Sequence, residues 1–146
     1  MTRVVREVTF LEMAEVLSRR GTCPRRQVGC ILTNSRHHII GSGYNGTAAG
    51  LSHCTDNPCP GAGLPSGTGL DKCEALHAEA NALLQCRNVY EIDTAFVTVS
   101  PCVHCTKLLL NTSCRRIVYS NDYSHEEAAT LWIKAGRVWQ NVRTLT

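Results

Sequence analysis

Two short segments carry the residue types that can hold a metal and move protons. SPCVHC, residues 100 to 105, sets Cys102 and Cys105 three apart behind Pro101, and LHAEA, residues 76 to 80, sets His77 two positions before Glu79. Two thiolates and one imidazole form a borderline-soft, tetrahedral donor set that suits zinc and leaves a fourth position for water. Such a metal lowers the pKa of bound water toward about 7, and a carboxyl such as Glu79 can carry the protons. A structural zinc site would instead close the fourth position with another Cys or His. His104 stands two residues from Cys102 and so points to another side of its helix, which argues against it as a ligand. Taken singly, the CxxC also suits a redox pair or half a zinc ribbon, and His77 with Glu79 could simply solvate a helix start.

The elements that must position these groups follow from periodicity. Residues 8 to 19 read as a helix with Phe10, Met13, Ala14 and Leu17 on one face, and residues 27 to 32 and 38 to 44 as strands joined at Asn34–Ser35. Residues 45 to 72 are dense in Gly, Pro, Ser and Asn and read as one long loop without a regular element. Helices are expected at 74 to 86, 102 to 111 and 125 to 136, the last ended by Gly136, with strands at 94 to 99, 116 to 120 and 138 to 142. The order α-β-β-α-β-α-β-α-β predicts a mixed sheet flanked by helices. Pro101 suits the entry of a helix because no N–H is needed there, and the positive helix end favours thiolates at Cys102 and Cys105.

The 146 residues suit one domain, 1–146, and 43% hydrophobic with 18% charged residues excludes global disorder. No apolar run approaches a membrane span, and MTRVVREVTFLEM lacks an apolar stretch and cleavage site, so the expected location is cytoplasmic. The net charge of +3 comes mainly from Arg19–Arg20, Arg25–Arg26 and Arg115–Arg116. Each pair suits a solvated face or a phosphate-bearing ligand, and no long basic stripe marks a nucleic-acid surface. Nine cysteines, an odd number in a chain without an export signal, point to metal where clustered and to small buried hydrophobes where isolated. Cys30, Cys86 and Cys114 read as the latter.

H-x-E on one helix and P-C-x-x-C opening the next form the signature of zinc deaminases acting on cytosine or adenine. From about Leu11 to Gly136 the sequence resembles the deoxycytidylate (dCMP) deaminases of the cytidine deaminase superfamily, in QVGCIL, GSGYNG, LHAEANALLQC, TVSPCVHC and SNDY followed by a helix. The resemblance implies an α/β, cytidine deaminase-like three-layer fold with a central mixed five-stranded sheet. It also implies zinc on His77, Cys102 and Cys105, proton transfer by Glu79, and hydrolysis of dCMP to dUMP and ammonia. Tyr123 would stack on the base, Asn45 would bind the ribose or hold the loop, and Arg25 and Arg26 are candidates for phosphate contact. GYNG would mark an allosteric nucleotide site at Gly43, Tyr44, Asn45 and Gly46, activated by dCTP and inhibited by dTTP, each with Mg²⁺, in a hexamer.

Nucleoside cytidine deaminases usually carry Cys where this chain has His77. The principal alternative is a tRNA adenosine deaminase, which shares both motifs; a weaker one is a non-catalytic zinc-binding interaction module. The family resemblance further implies a second, structural zinc pinning the Cys/Gly-rich loop at about 45–73, held by Cys23, Cys54, Cys59 and Cys73, with His53 or Glu74 as substitutes.

Overall fold

The computed structural model describes residues 2–23, 25–54, 56, 58, 61–65, 75–123 and 126–145. A five-stranded sheet runs in the order β2-β1-β5-β6-β7, built from β1 (Gly29–Thr33), β2 (Ile39–Tyr44), β5 (Thr94–Val99), β6 (Arg116–Asn121) and β7 (Val138–Asn141). β1 pairs antiparallel with both β2 and β5, whereas β5, β6 and β7 are mutually parallel, so the sheet is mixed as expected. The β5 stretch TAFVTV is buried along its whole length, which is why it reads as an unbroken run rather than an alternation.

Helix α1 (Arg6–Ser18) covers one face of the sheet, with Leu11 and Ala14 packed on Ile31, Phe96 and Val118. Helices α2 (Ala78–Gln85), α3 (Val103–Leu110) and α4 (Glu127–Lys134) belong with the other face, where Cys30, Ala82, Val97, Leu109, Ile117 and Trp132 form the larger core. The result is three layers. Cys30 and Cys114 are buried core members and Cys86 is half-buried against them. Among the described residues, no helix is long and apolar enough to cross a membrane.

Element boundaries shift by one to four residues from the sequence expectation, and two of the shifts have a visible cause. The helix expected at 74 begins at Ala78, because Ala75–Leu76 (β4) pairs with Gly46–Thr47 (β3), a short ladder inside the segment expected to be irregular. Tertiary pairing here overrides the helical preference of an Ala- and Leu-rich stretch. The first strand starts at Gly29 rather than 27; before it, the Val28 N–H and the Arg26 carbonyl are bonded to the Asn45 side chain. Gly136 does end α4: it lies at φ +79, and the N–H groups of Gly136 and Arg137 return to the carbonyls of Ile133 and Trp132.

The end of that helix is also held from the side. Arg137 donates from Nη1 to the carbonyls of Leu109 (3.2 Å), Thr112 (3.4 Å) and Cys114 (2.8 Å), and from Nη2 to Leu110 (2.7 Å). These carbonyls terminate α3 and start the turn into β6, so one guanidinium, stacked 5.1 Å from the Trp132 ring, anchors the helix whose other end bears the two cysteines.

Candidate active site

Five segments converge at one end of the strands: the approach to β1, the end of β2, the start of α2, the end of β5 and the residues after β6. They enclose a cavity of about 590 Å³, open mouth included, walled in part by Asn45, His77, Glu79, Ser100, Cys102 and Tyr123. Val28, Ala75 and Val99 add apolar surface.

Cys102 is the residue that caps α3, extended at φ −70 and ψ 169, and its Sγ accepts from the Cys105 N–H at 3.4 Å. Cys105 lies one turn on, on the same face. His77 holds the equivalent position before α2, at φ −75 and ψ 154, so it precedes the first helical turn rather than belonging to it. Its Nδ1 sits 3.5 Å from Cys102 Sγ and 3.2 Å from Cys105 Sγ. All three donor atoms lie within 4.8 Å of one another, and they are the one such metal-capable group among the described residues. Bond lengths of about 2.0 Å to nitrogen and 2.3 Å to sulfur in a tetrahedral zinc site imply N···S separations of about 3.6 Å. The donor set therefore fits zinc in both chemistry and spacing. His104 is exposed and outside the cluster, as its spacing predicts.

The charge pattern agrees. The Cys102 thiol is pushed down to about 4, first by the hydrogen bond from Cys105 and then by His77. The same contact holds the Cys105 thiol up, with burial adding to it. His77 is raised chiefly by its hydrogen bond to Cys102. These groups would bind a dication in their deprotonated forms, releasing protons. Glu79 is 4% exposed, and that burial raises its carboxyl to about 7 against the opposing pull of His77. A carboxyl poised at neutrality can both take and return a proton.

The remaining expected site residues fall in different places. Asn45 reaches the cavity, but its Oδ1 accepts from the Val28 N–H (2.8 Å) and its Nδ2 donates to the Arg26 carbonyl (2.6 Å), so it holds the loop before β1. Arg25 and Arg26 line the cavity; Arg25 donates to the carbonyls of Leu64 and Pro65 in the long loop, and Arg26 is exposed. Tyr123 forms part of the wall. Gly43 is a packing position: a Cβ there would lie 2.5 Å from both the Ala78 carbonyl and the Ala82 nitrogen of α2. Gly43, Tyr44 and Gly46 also line a separate depression shared with Thr22, Thr47 and His53. Cys23 and Cys54 are buried; Cys59, Cys73 and Glu74 lie outside the described residues. Ser100 and Cys23 were not anticipated as cavity residues. Ser100 stands immediately before the P-C-x-x-C motif, yet nothing in its type signals the role of its hydroxyl.

Residues 5–121 match the protein family described as "Cytidine and deoxycytidylate deaminase zinc-binding region". The chain is 32% identical over 133 residues to the deoxycytidylate deaminase of Schizosaccharomyces pombe, covering 88% of this chain and 41% of that protein, so it spans about two fifths of that relative's length. It is 36% identical over 119 residues to the deoxycytidylate deaminase of Mycobacterium phage D29, covering 77% of this chain and 92% of that one. The crystal structure of the apo dCMP deaminase from the cyanophage S-TIM5 superposes with a TM-score of 0.73 at 25% identity, covering 96% of this chain and 99% of that one.

Proposed function

Since the chain belongs to the family of the cytidine and deoxycytidylate deaminase zinc-binding region, we propose that it is a zinc-dependent dCMP deaminase, converting dCMP and water to dUMP and ammonia. The observation that carries this reading is the buried Glu79 carboxyl in the same cavity as His77 and Cys102, which form one metal-capable group with Cys105. Those three residues would hold the zinc ion, which when bound supplies a Lewis acid that brings the pKa of water toward about 7.

The chain's own residues do the rest. Glu79 takes one proton from the attacking water and passes it to N3 of the ring; the second proton reaches the amino group through the same carboxyl. The water oxygen ends on C4, the C4–N4 bond breaks, and ammonia carries away the electron pair. Tyr123 lies against the base, while Arg25 and Arg26 bring positive charge to the mouth for the 5′-phosphate. Asn45 keeps that arginine-bearing segment in register with β2.

The regulatory reading follows the same family. dCTP–Mg²⁺ activates and dTTP–Mg²⁺ inhibits, in a homohexamer, through a site around Gly43, Tyr44, Asn45 and Gly46. Its support is the separate depression at Tyr44 and Gly46, where Thr22 Oγ1 and Thr47 Oγ1 are buried without a hydrogen-bond partner among the described residues. The Arg20 guanidinium, 6.0 Å over the Tyr44 ring, adds a cation beside it. A second zinc on Cys23, Cys54, Cys59 and Cys73 would pin the long loop, and the burial of Cys23 and Cys54 supports it.

The test is deamination of free dCMP by the zinc-replete protein with dCTP–Mg²⁺, with dTTP–Mg²⁺ and with neither, alongside metal count and light scattering. Turnover raised by dCTP and suppressed by dTTP supports the whole reading. Zinc-loaded protein without turnover under any condition overturns it.

A further inference from the structure

The pairing of β5 with β6 continues past the sheet by an unusual substitution. The Ser100 N–H donates to the Asn121 carbonyl at 2.9 Å, which is the last regular rung. One rung further, a parallel ladder would carry the Tyr123 N–H to the Ser100 carbonyl. The Tyr123 N–H goes instead to the Ser100 hydroxyl oxygen at 2.7 Å. Ser100 is 6% exposed. Below this rung, Ser120 Oγ and Asn121 Nδ2 both donate to the Thr98 carbonyl, at 3.0 and 3.1 Å, and fasten the end of β6 to β5. The chain leaving β6 is thus fastened at residue 123 by a serine side chain.

The position of that tie matters for the cavity. Ser100 and Tyr123 both line it, and both also line the adjoining groove against Tyr119 and Trp139, so Tyr123 stands in the partition between the two spaces. Release of the Tyr123 backbone from that hydroxyl would let the ring move along the partition. We propose that Ser100 is a positioning residue whose hydroxyl sets the place of Tyr123 in the cavity wall, and thereby how closely the pyrimidine base is held. This rests on the deaminase reading for its substrate, though not for its geometry.

The test uses Ser100→Ala, Ser100→Thr, Tyr123→Ala and the Ser100→Ala/Tyr123→Ala pair in the zinc-loaded chain. Losing the acceptor should speed hydrogen exchange at the Tyr123 amide on the order of tenfold in Ser100→Ala, with Ser100→Thr restoring protection because it keeps the γ-oxygen. KM for dCMP and Kd for dUMP should rise severalfold in Ser100→Ala while zinc content and kcat stay near wild type. In the Tyr123→Ala background, Ser100→Ala should change neither further, since it acts through that ring. An amide that stays protected in Ser100→Ala, or effects that simply add in the pair, would overturn the positioning role. A wild-type chain that binds zinc but never turns over dCMP would instead remove the deaminase reading, so the two failures are told apart.

Discussion

Replacing Gly43 by alanine distinguishes a glycine needed for helix packing from one kept open for a nucleotide. A Cβ at this position would lie 2.5 Å from the Ala78 carbonyl oxygen, 2.5 Å from the Ala82 nitrogen and 3.0 Å from the Asn81 carbonyl carbon, all backbone atoms of α2. Ordinary van der Waals contact begins near 3.4 Å, so β2 and α2 must separate by about 0.9 Å. Backbone cannot swing aside as a flexible side chain can, and overpacking of this kind costs about 1–3 kcal/mol. For a chain of this size that is a fall in Tm of roughly 3–10 °C. The same displacement moves the helix that begins after His77 and carries Glu79, and an error approaching 1 Å in a reacting constellation costs up to about 100-fold in rate. Thermal unfolding and dCMP turnover, each with and without dCTP–Mg²⁺, measure both. A variant with wild-type Tm and basal turnover but no nucleotide response would refute the packing argument and give Gly43 to the regulatory site.

Other perturbations probe the frame around the centre. Arg137→Met keeps an apolar stem beside Trp132 but removes the donor to four carbonyls at the end of α3; urea denaturation should show a loss of roughly 2–4 kcal/mol, and a loss below about 0.5 kcal/mol would contradict the anchoring role. The Glu7–Arg116 pair, 3.0 Å apart and largely shielded by the fold, joins α1 to β6. Burial opposes ionisation of Glu7, yet its backbone hydrogen bond and Arg116 outweigh that and hold the carboxyl below its ordinary 4.5. The pair therefore contributes above pH 4.5 and fades as pH falls through the lower folded value. Glu7→Gln should cost about 0.5–1 kcal/mol at pH 7 and nothing once the wild-type carboxyl is protonated; an equal cost at both ends of the titration would rule out the ionic contribution. Asn45→Ala leaves the Val28 N–H and the Arg26 carbonyl without their partners and should raise KM for dCMP severalfold by releasing the arginine segment, whereas an unchanged KM would confine Asn45 to stability.

The metal centre was legible in the sequence because its chemistry is written in residue types at fixed spacing. Cys102 and Cys105 fall one turn apart on one face where a helix starts, and can then share a metal; Pro101 marks that start. The partner His77 comes from another element, and only H-x-E read together with P-C-x-x-C singles it out. The five strands were legible for a similar reason, since runs such as TAFVTV and RIVYS are bounded by clear turn residues. What escaped depends on contacts between distant segments. Ala75 and Leu76, helical-looking in sequence, pair instead in the β3–β4 ladder, and the Asn45 side chain commits its polar groups to Arg26 and Val28. The Ser100 hydroxyl and the Arg137 guanidinium likewise act on residues 23 to 28 positions away, which no local pattern encodes.

Substituting Glu79 by glutamine tests the central claim most directly, with zinc content and dCMP turnover read on the same preparation. Glutamine preserves the shape and cannot carry the proton, and it leaves His77, Cys102 and Cys105 in place. The account predicts zinc bound as in wild type and turnover reduced by at least about 100-fold. Turnover retained in the zinc-loaded Glu79→Gln chain would contradict it.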